Sequence, residues 1–230
     1  MIKGVLFDFS GTLFRIESAE RWWAAVSSAA GLALSAEELA EGGRRLEVSG
    51  ALPGGPAPRA VPPELAEAWA TRDLSADRHR AAYAGLVRAA GSPMAELADA
   101  LYDRHMTPEA WDPYPDAEST LRELRRRGVP IAVVSNIGWD LRPVFRAHGL
   151  DELVDAYLLS FEFGAQKPHP SIFQEACDRL GLAPQDVLMV GDDRRADVGA
   201  AALGCSLHLV DHLPVDRRPA GLSPLLELLN

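Results

Sequence analysis

Five short apolar runs, four of them without alternating polar residues, constrain this chain more than any other feature. They occupy residues 4–7, 129–134, 156–160, 186–190 and 206–210 and are rich in Val, Ile and Leu. A strand with one wet face alternates, whereas a strand covered on both faces reads as a continuous apolar run. From Asp116 onward the runs are separated by segments of helical texture at 117–127, 141–148, 171–180 and 196–202. That order predicts an α/β fold built on a doubly wound parallel sheet.

Between Phe14 and about Pro113 the texture differs. Ala, Glu, Arg and Leu recur at helical spacing, with breaks at Gly31, at 50–63 and at Gly91, which predicts an insert of four or five helices. The stretch "GALPGGPAPRAVPP" is expected to be a loop, because neither a helix interior nor a central strand tolerates such Pro and Gly density. The chain therefore divides into a core of residues 1–14 and 113–230 and a helical insert of residues 15–112.

A formal net charge of -10 argues against nucleic acid or an anionic membrane as partner, since both require a cationic footprint. The two cysteines, Cys177 and Cys205, have no metal-type spacing, and a reducing, cytoplasmic location is expected. The N-terminal run is short and ends in Asp8, so it is read as a strand rather than a signal peptide or membrane span.

In open parallel sheets the active site lies at the carboxyl ends of the strands. The first strand is followed by "DFSGT" (Asp8 to Thr12), the second by Ser135 and Asn136, the third by "FEFGAQKP" with Lys167, and the fourth by "GDDRRAD" with Asp192, Asp193 and Asp197. These residues suit a phosphoryl group. Asp8 is the candidate nucleophile, since attack by a carboxylate splits one difficult displacement into two. Asp8 and Asp192, with a backbone carbonyl, are a fitting donor set for Mg²⁺, a hard cation that takes few protein carboxylates. Lys167 adds positive charge, and Thr12 and Ser135 offer hydroxyl donors to phosphoryl oxygens.

The stretches "VLFDFSGTL", "VVSN", "KPHPSIF" and "VLMVGDDRRADVGAAALG", in this order, resemble the four motifs of the haloacid dehalogenase superfamily of aspartate-nucleophile hydrolases. The resemblance covers residues 2–14 and about 113–212. It implies a Rossmann-like core with a helical cap inserted after the first motif. It also implies Asp8 as nucleophile, the Ser10 carbonyl as a metal ligand, Ser135 (with Asn136) and Thr12 at the phosphate, and Lys167 as charge balancer. The metal-binding acids would be Asp192 with Asp193 or Asp197, Asp192 being the one expected to ligate directly and Asp197 to support Lys167 or metal-bound water. The expected substrate is a small phosphorylated metabolite.

The chain departs from that pattern at one position. Phosphatases of the superfamily usually carry an Asp two residues after the nucleophile as general acid and base, and here Ser10 stands there. Loss of such a group typically lowers rate by ~10² to 10⁴-fold. Three readings stay open on sequence alone: hydrolysis of substrates with stable leaving groups or with a proton from the cap, a different reaction such as dehalogenation, or phosphate binding with little turnover. His79 and His105, in the expected cap helices, are candidate proton donors, and Arg15 is a candidate for a substrate anion. His169 is expected at the surface. Trp22, Trp23, Trp69 and Trp111 are expected to pack the cap, and Trp139 to line the entrance.

Overall fold

The residues of "GVLF" are fully buried, and in the computed structural model, which describes residues 1–229, they form the central strand β1 (Gly4–Phe7). A short strand β2 (Phe14–Ile16) leads into five helices: α1 (Ala19–Ala29), α2 (Ala36–Ser49), α3 (Ala66–Ala70), α4 (Ala76–Ala89) and α5 (Ala98–His105). The chain returns through β3 (Trp111–Pro113) and continues as α6 (Ala117–Arg126), β4 (Ile131–Ser135), α7 (Arg142–Ala147), β5 (Ala156–Leu159), α8 (Ser160–Phe163), α9 (Pro170–Leu180), β6 (Val187–Gly191) and β7 (Ser206–Leu209).

The main sheet has the order β5-β4-β1-β6-β7, and every pairing in it is parallel. Val5 sits between Ile131 on one side and Leu188 on the other, so the ends of β1, β4 and β6 fall side by side. Strands β1, β4 and β6 are buried along their whole lengths, which is why their sequences do not alternate. The fold class is the one expected from the apolar runs, and the strand limits agree with that expectation to within two residues.

Two local expectations are corrected. Residues just after the first motif were expected to be helical, yet β2 and β3 pair antiparallel, with Phe14 opposite Pro113 and Ile16 opposite Trp111. This three-residue ribbon is too short to show a period, and it brings the two ends of the insert together. The segment expected as a helix at 196–202 is a tighter 3₁₀ helix, Asp197–Leu203, where Gly199 lies against the Pro168 carbonyl. No helix among the described residues is long and apolar enough to cross a membrane.

Five helices lie between β2 and β3. Gly50 ends α2 in the left-handed conformation at φ 66°, as glycine does at helix ends, and α2 begins with a capping box of Ser35 and Glu38. Trp22 and Trp23 are buried in the insert's packing, and the Trp22 indole N–H donates to the Leu101 carbonyl.

Candidate active site

The end of β1 delivers Asp8 to a buried cluster at the sheet's carboxyl edge. Lys167 Nζ lies 2.8 Å from Asp8 Oδ1 and donates to Asp197 Oδ1 at 2.6 Å. One oxygen each of Asp8, Asp192 and Asp197 lie within 4.8 Å of one another. Burial pushes the Asp8 carboxyl well above the usual carboxylate range; the Lys167 ammonium pulls it down, but Asp197 and Asp192 push it up further. Burial works against the charge on Lys167, yet Asp197 and Asp8 outweigh it and hold the ammonium protonated. Three carboxyl groups thus gather around one ammonium, an arrangement that could hold a divalent cation. The all-oxygen donors of Asp8 and Asp192 suit a hard ion such as Mg²⁺.

Asp197 has little left to offer a metal. Its Oδ1 accepts from Lys167 and its Oδ2 from the Asp193 backbone N–H at 2.9 Å. Its place is the one expected of a support for Lys167. Asp193, weighed as a second metal acid, is instead exposed, and its Oδ1 accepts from the Arg195 and Ala196 amides across the turn. A carboxylate two residues before free amides is drawn into this local turn rather than toward the other acids.

Asp192 is held from both sides. Thr12 Oγ1 donates to its Oδ1 at 3.2 Å, and His212 Nδ1 contacts its Oδ2. Burial raises the Asp192 carboxyl, but the His212 hydrogen bond and charge, with Lys167, hold it below the usual range. Thr12, expected as a phosphate donor, is therefore engaged with Asp192. His212 was not singled out from sequence. It lies just past the fifth apolar run, and applying the strand-end rule to that run as well as the first four would have found it.

Ser135 is buried at the end of β4, beside β1. Asn136 was also expected at the phosphate, but its amide is committed elsewhere. Nδ2 donates to the Lys167 carbonyl at 2.9 Å and Oδ1 accepts from the Lys167 N–H at 2.6 Å, so Asn136 fixes the loop that carries the lysine. Gly11 takes φ 80°, and a Cβ there would run into His212 and Asp192. Only glycine fits that turn.

Ser10 Oγ is buried and has no hydrogen-bond partner among the described residues. Above it lies the Pro/Gly-rich stretch expected as a plain connecting loop, where a Cβ on Gly54 would stand 2.7 Å from that hydroxyl. The loop and the helical insert help to line an open cavity of about 500 Å³ that also contains Asp8, Ser10 and Lys167. Trp69, Trp111 and Trp139 line it, so Trp139 is where it was expected, while Trp69 and Trp111 are wall residues as well as packing. Arg15 does not reach this cavity and lines a neighbouring cleft. His169 is exposed and caps α9, accepting from the Ser171 amide at 3.2 Å.

Neither insert histidine is suited to donate a proton. Burial pushes His79 well below the usual histidine range, aided by the nearby His105 and Arg72, and pulls His105 down to about 3. Both are neutral imidazoles near pH 7. His79 lines the cavity, while His105 packs behind Trp139.

One further residue escaped the sequence reading. Arg218, buried in the C-terminal segment, donates to the carbonyls of Gly11, Thr12 and Asp211 and stacks on Tyr114 at 3.1 Å from the ring centre. It braces the loop that follows Asp8.

A parallel sheet that gathers Asp8, Lys167 and Asp192 near three strand ends is the arrangement of a hydrolase of the α/β class. Residues 2–204 match the haloacid dehalogenase-like hydrolase family, and the chain belongs to that family. It is 35% identical over 159 residues to haloacid dehalogenase-like hydrolase domain-containing protein 3 of Mus musculus, covering 62% of this chain and 63% of the relative. It is 38% identical over 130 residues to a phosphoserine phosphatase of Thermus thermophilus, covering 55% of this chain and 51% of the relative. The chain thus spans less than two thirds of these curated relatives. Among solved structures, the L-2-haloacid dehalogenase of Xanthobacter autotrophicus superposes with a TM-score of 0.64 at 25% identity, covering 99% of this chain and 88% of that one.

Proposed function

We propose that this protein is a Mg²⁺-dependent hydrolase of a small phosphorylated metabolite, acting through a phosphorylated Asp8, with the helical insert as its cap. The observation that carries this reading is the convergence of Asp8, Asp192 and Asp197 within 4.8 Å around a single lysine. Asp8, Asp192 and the Ser10 backbone carbonyl would hold the ion. When bound, Mg²⁺ neutralises charge on the nucleophile and on phosphoryl oxygens.

The chain's own groups account for the rest. An oxygen of Asp8 attacks phosphorus, the leaving group departs, and water then cleaves the acyl phosphate. Lys167 balances the charge on Asp8 and on the transferred group. Asp197 and Asn136 hold Lys167 in position, one at its ammonium and the other at its backbone. Thr12 and His212 orient Asp192. The cavity of about 500 Å³ suits a small substrate, and Trp69, Trp111 and Trp139 give it apolar walls.

The similarity to a haloacid dehalogenase raises a second reading, halide displacement by Asp8. Asp192, fixed by two side chains next to Asp8, disfavours it, because a further carboxylate there repels a carboxylate substrate. A panel of phosphoesters, acyl phosphates and 2-haloacids, each with and without Mg²⁺, separates the two. Mg²⁺-dependent phosphate release that is lost in Asp8→Asn supports the proposal, and halide release overturns it.

A further inference from the structure

The position usually held by a proton carrier is Ser10, whose hydroxyl is buried against the Gly54 loop without a partner among the described residues. The same cavity contains one carboxyl group contributed by the insert. Asp73 sits in a short 3₁₀ turn, Arg72–Leu74, is only 4% exposed, and lines the cavity together with Asp8, Ser10 and Lys167.

This turn is fastened to the core next to the chemistry. Ser160 Oγ, at the end of β5, donates to the Asp73 carbonyl at 2.5 Å and accepts from the Ile137 N–H at 2.9 Å. Ile137 follows Ser135 and Asn136 directly. The following helix is fastened too, because a Cβ on Gly138 would collide with the His79 ring. The insert therefore meets the strand ends at Asp73 and at His79.

The groups around the Asp73 carboxyl orient it. Arg72 Nη2 lies 3.4 Å from Oδ2 and its guanidinium stacks 4.0 Å from the centre of the Trp69 ring. His79 Nε2 lies 3.8 Å from Oδ1, and Nδ1 of the same ring is 2.7 Å from the Tyr102 hydroxyl.

We propose that Asp73 is the general acid and base of this site, taking from the cap the role that position 10 leaves empty. The inference rests on the phosphoryl-transfer reading above. In the first half-reaction the Asp8 oxygen bonds to phosphorus, the bond from phosphorus to the leaving oxygen breaks, and that oxygen takes the Asp73 proton. In the second, water attacks the phosphorus of phospho-Asp8, Asp73 takes the water's proton, and the bond to Asp8 breaks to release phosphate. Asp73 ends protonated, as it began. Its environment favours the protonated starting form: burial raises its carboxyl above the usual range, although Arg72 and Lys167 pull it down.

The test uses the dependence on the leaving group. An alkyl phosphate must have its leaving oxygen protonated, whereas p-nitrophenyl phosphate releases a stable phenolate and needs little help. For Asp73→Asn, kcat/KM, which reports the steps up to phospho-Asp8 and not its hydrolysis, should fall by roughly 10² to 10⁴-fold on a small alkyl phosphate and by less than about tenfold on p-nitrophenyl phosphate. The retained aryl activity also shows that the variant folds. The alkaline limb of the pH profile for the alkyl substrate should disappear in the variant. Equal losses on both substrates, or no loss on either, overturn the role of Asp73. Wild-type turnover of both substrates that survives Asp8→Asn, or no wild-type turnover of either, overturns the phosphoryl-transfer reading itself.

Discussion

Lys167 is tied to Asp197 at 2.6 Å, with both side chains essentially shielded from water. A buried ion pair adds little net stability, but removing one partner leaves a charge uncompensated. Asp197→Ala should therefore destabilise the fold by about 3 kcal/mol, measured by urea unfolding. Asp197→Asn keeps a carbonyl oxygen for the ammonium and should lose less. Both should lower turnover more than stability loss accounts for, because the Lys167 ammonium loses its charged partner at residue 197 and is left with Asp8 as its only carboxylate.

Arg218 has no carboxylate within ion-pair distance among the described residues. Its donors go to three backbone carbonyls, two of them in the loop after Asp8. Hydrogen bonds from a charged group are individually worth more than neutral ones, and the carbonyls left behind would be buried. Arg218→Ala should destabilise by roughly 2–4 kcal/mol in urea unfolding. Arg218→Lys, which cannot bridge several carbonyls with one planar group, should recover only part of that.

Acid should weaken the insert through its histidines. His79 is held well below the ordinary histidine range and His105 at about 3, so the folded state refuses protons that the unfolded chain accepts. The unfolded state then binds more protons between about pH 6.5 and the folded values, so stability is present above about 6.5 and is lost as pH falls. Each histidine contributes a slope of up to about 1.4 kcal/mol per pH unit in that window. Unfolding free energies measured from pH 7 to pH 4 should show this decline, and His105→Gln should reduce its slope.

Mg²⁺ should raise the melting temperature, since the proposed site exists only where folding brings Asp8 and Asp192 together. At 100-fold over Kd the gain is about 2.7 kcal/mol. Asp192→Asn should abolish the shift, while Asp193→Asn, at an exposed turn residue, should leave it intact. Thermal melts with Mg²⁺ or with a chelator report both.

The architecture was legible because parallel strands leave a mark in composition: β1, β4 and β6 are apolar from end to end. The strand-end rule then picked out Asp8, Lys167, Asp192 and Asp197, all of which meet. What it missed are contacts made by the rest of the chain. Arg218 lies beyond the motifs and acts through backbone carbonyls, which no spacing reveals, while His212 stands past the fifth apolar run, to which the rule was not extended. Thr12 and Asn136 were recognised as site residues but given phosphate roles, because their type shows what they can donate and not which acceptor reaches them first. Asp73 sits in a short turn of the insert, and only folding brings it into the cavity with Asp8.

The central claim is that Asp8 becomes phosphorylated. Wild-type enzyme mixed with a turned-over phosphoester and Mg²⁺, quenched in acid and treated with borohydride, can be digested and mapped by mass spectrometry. Reduction of the acyl phosphate should convert residue 8 to homoserine, with no such change in Asp8→Asn. Steady release of phosphate from an enzyme whose Asp8 is never modified under these conditions would contradict the account.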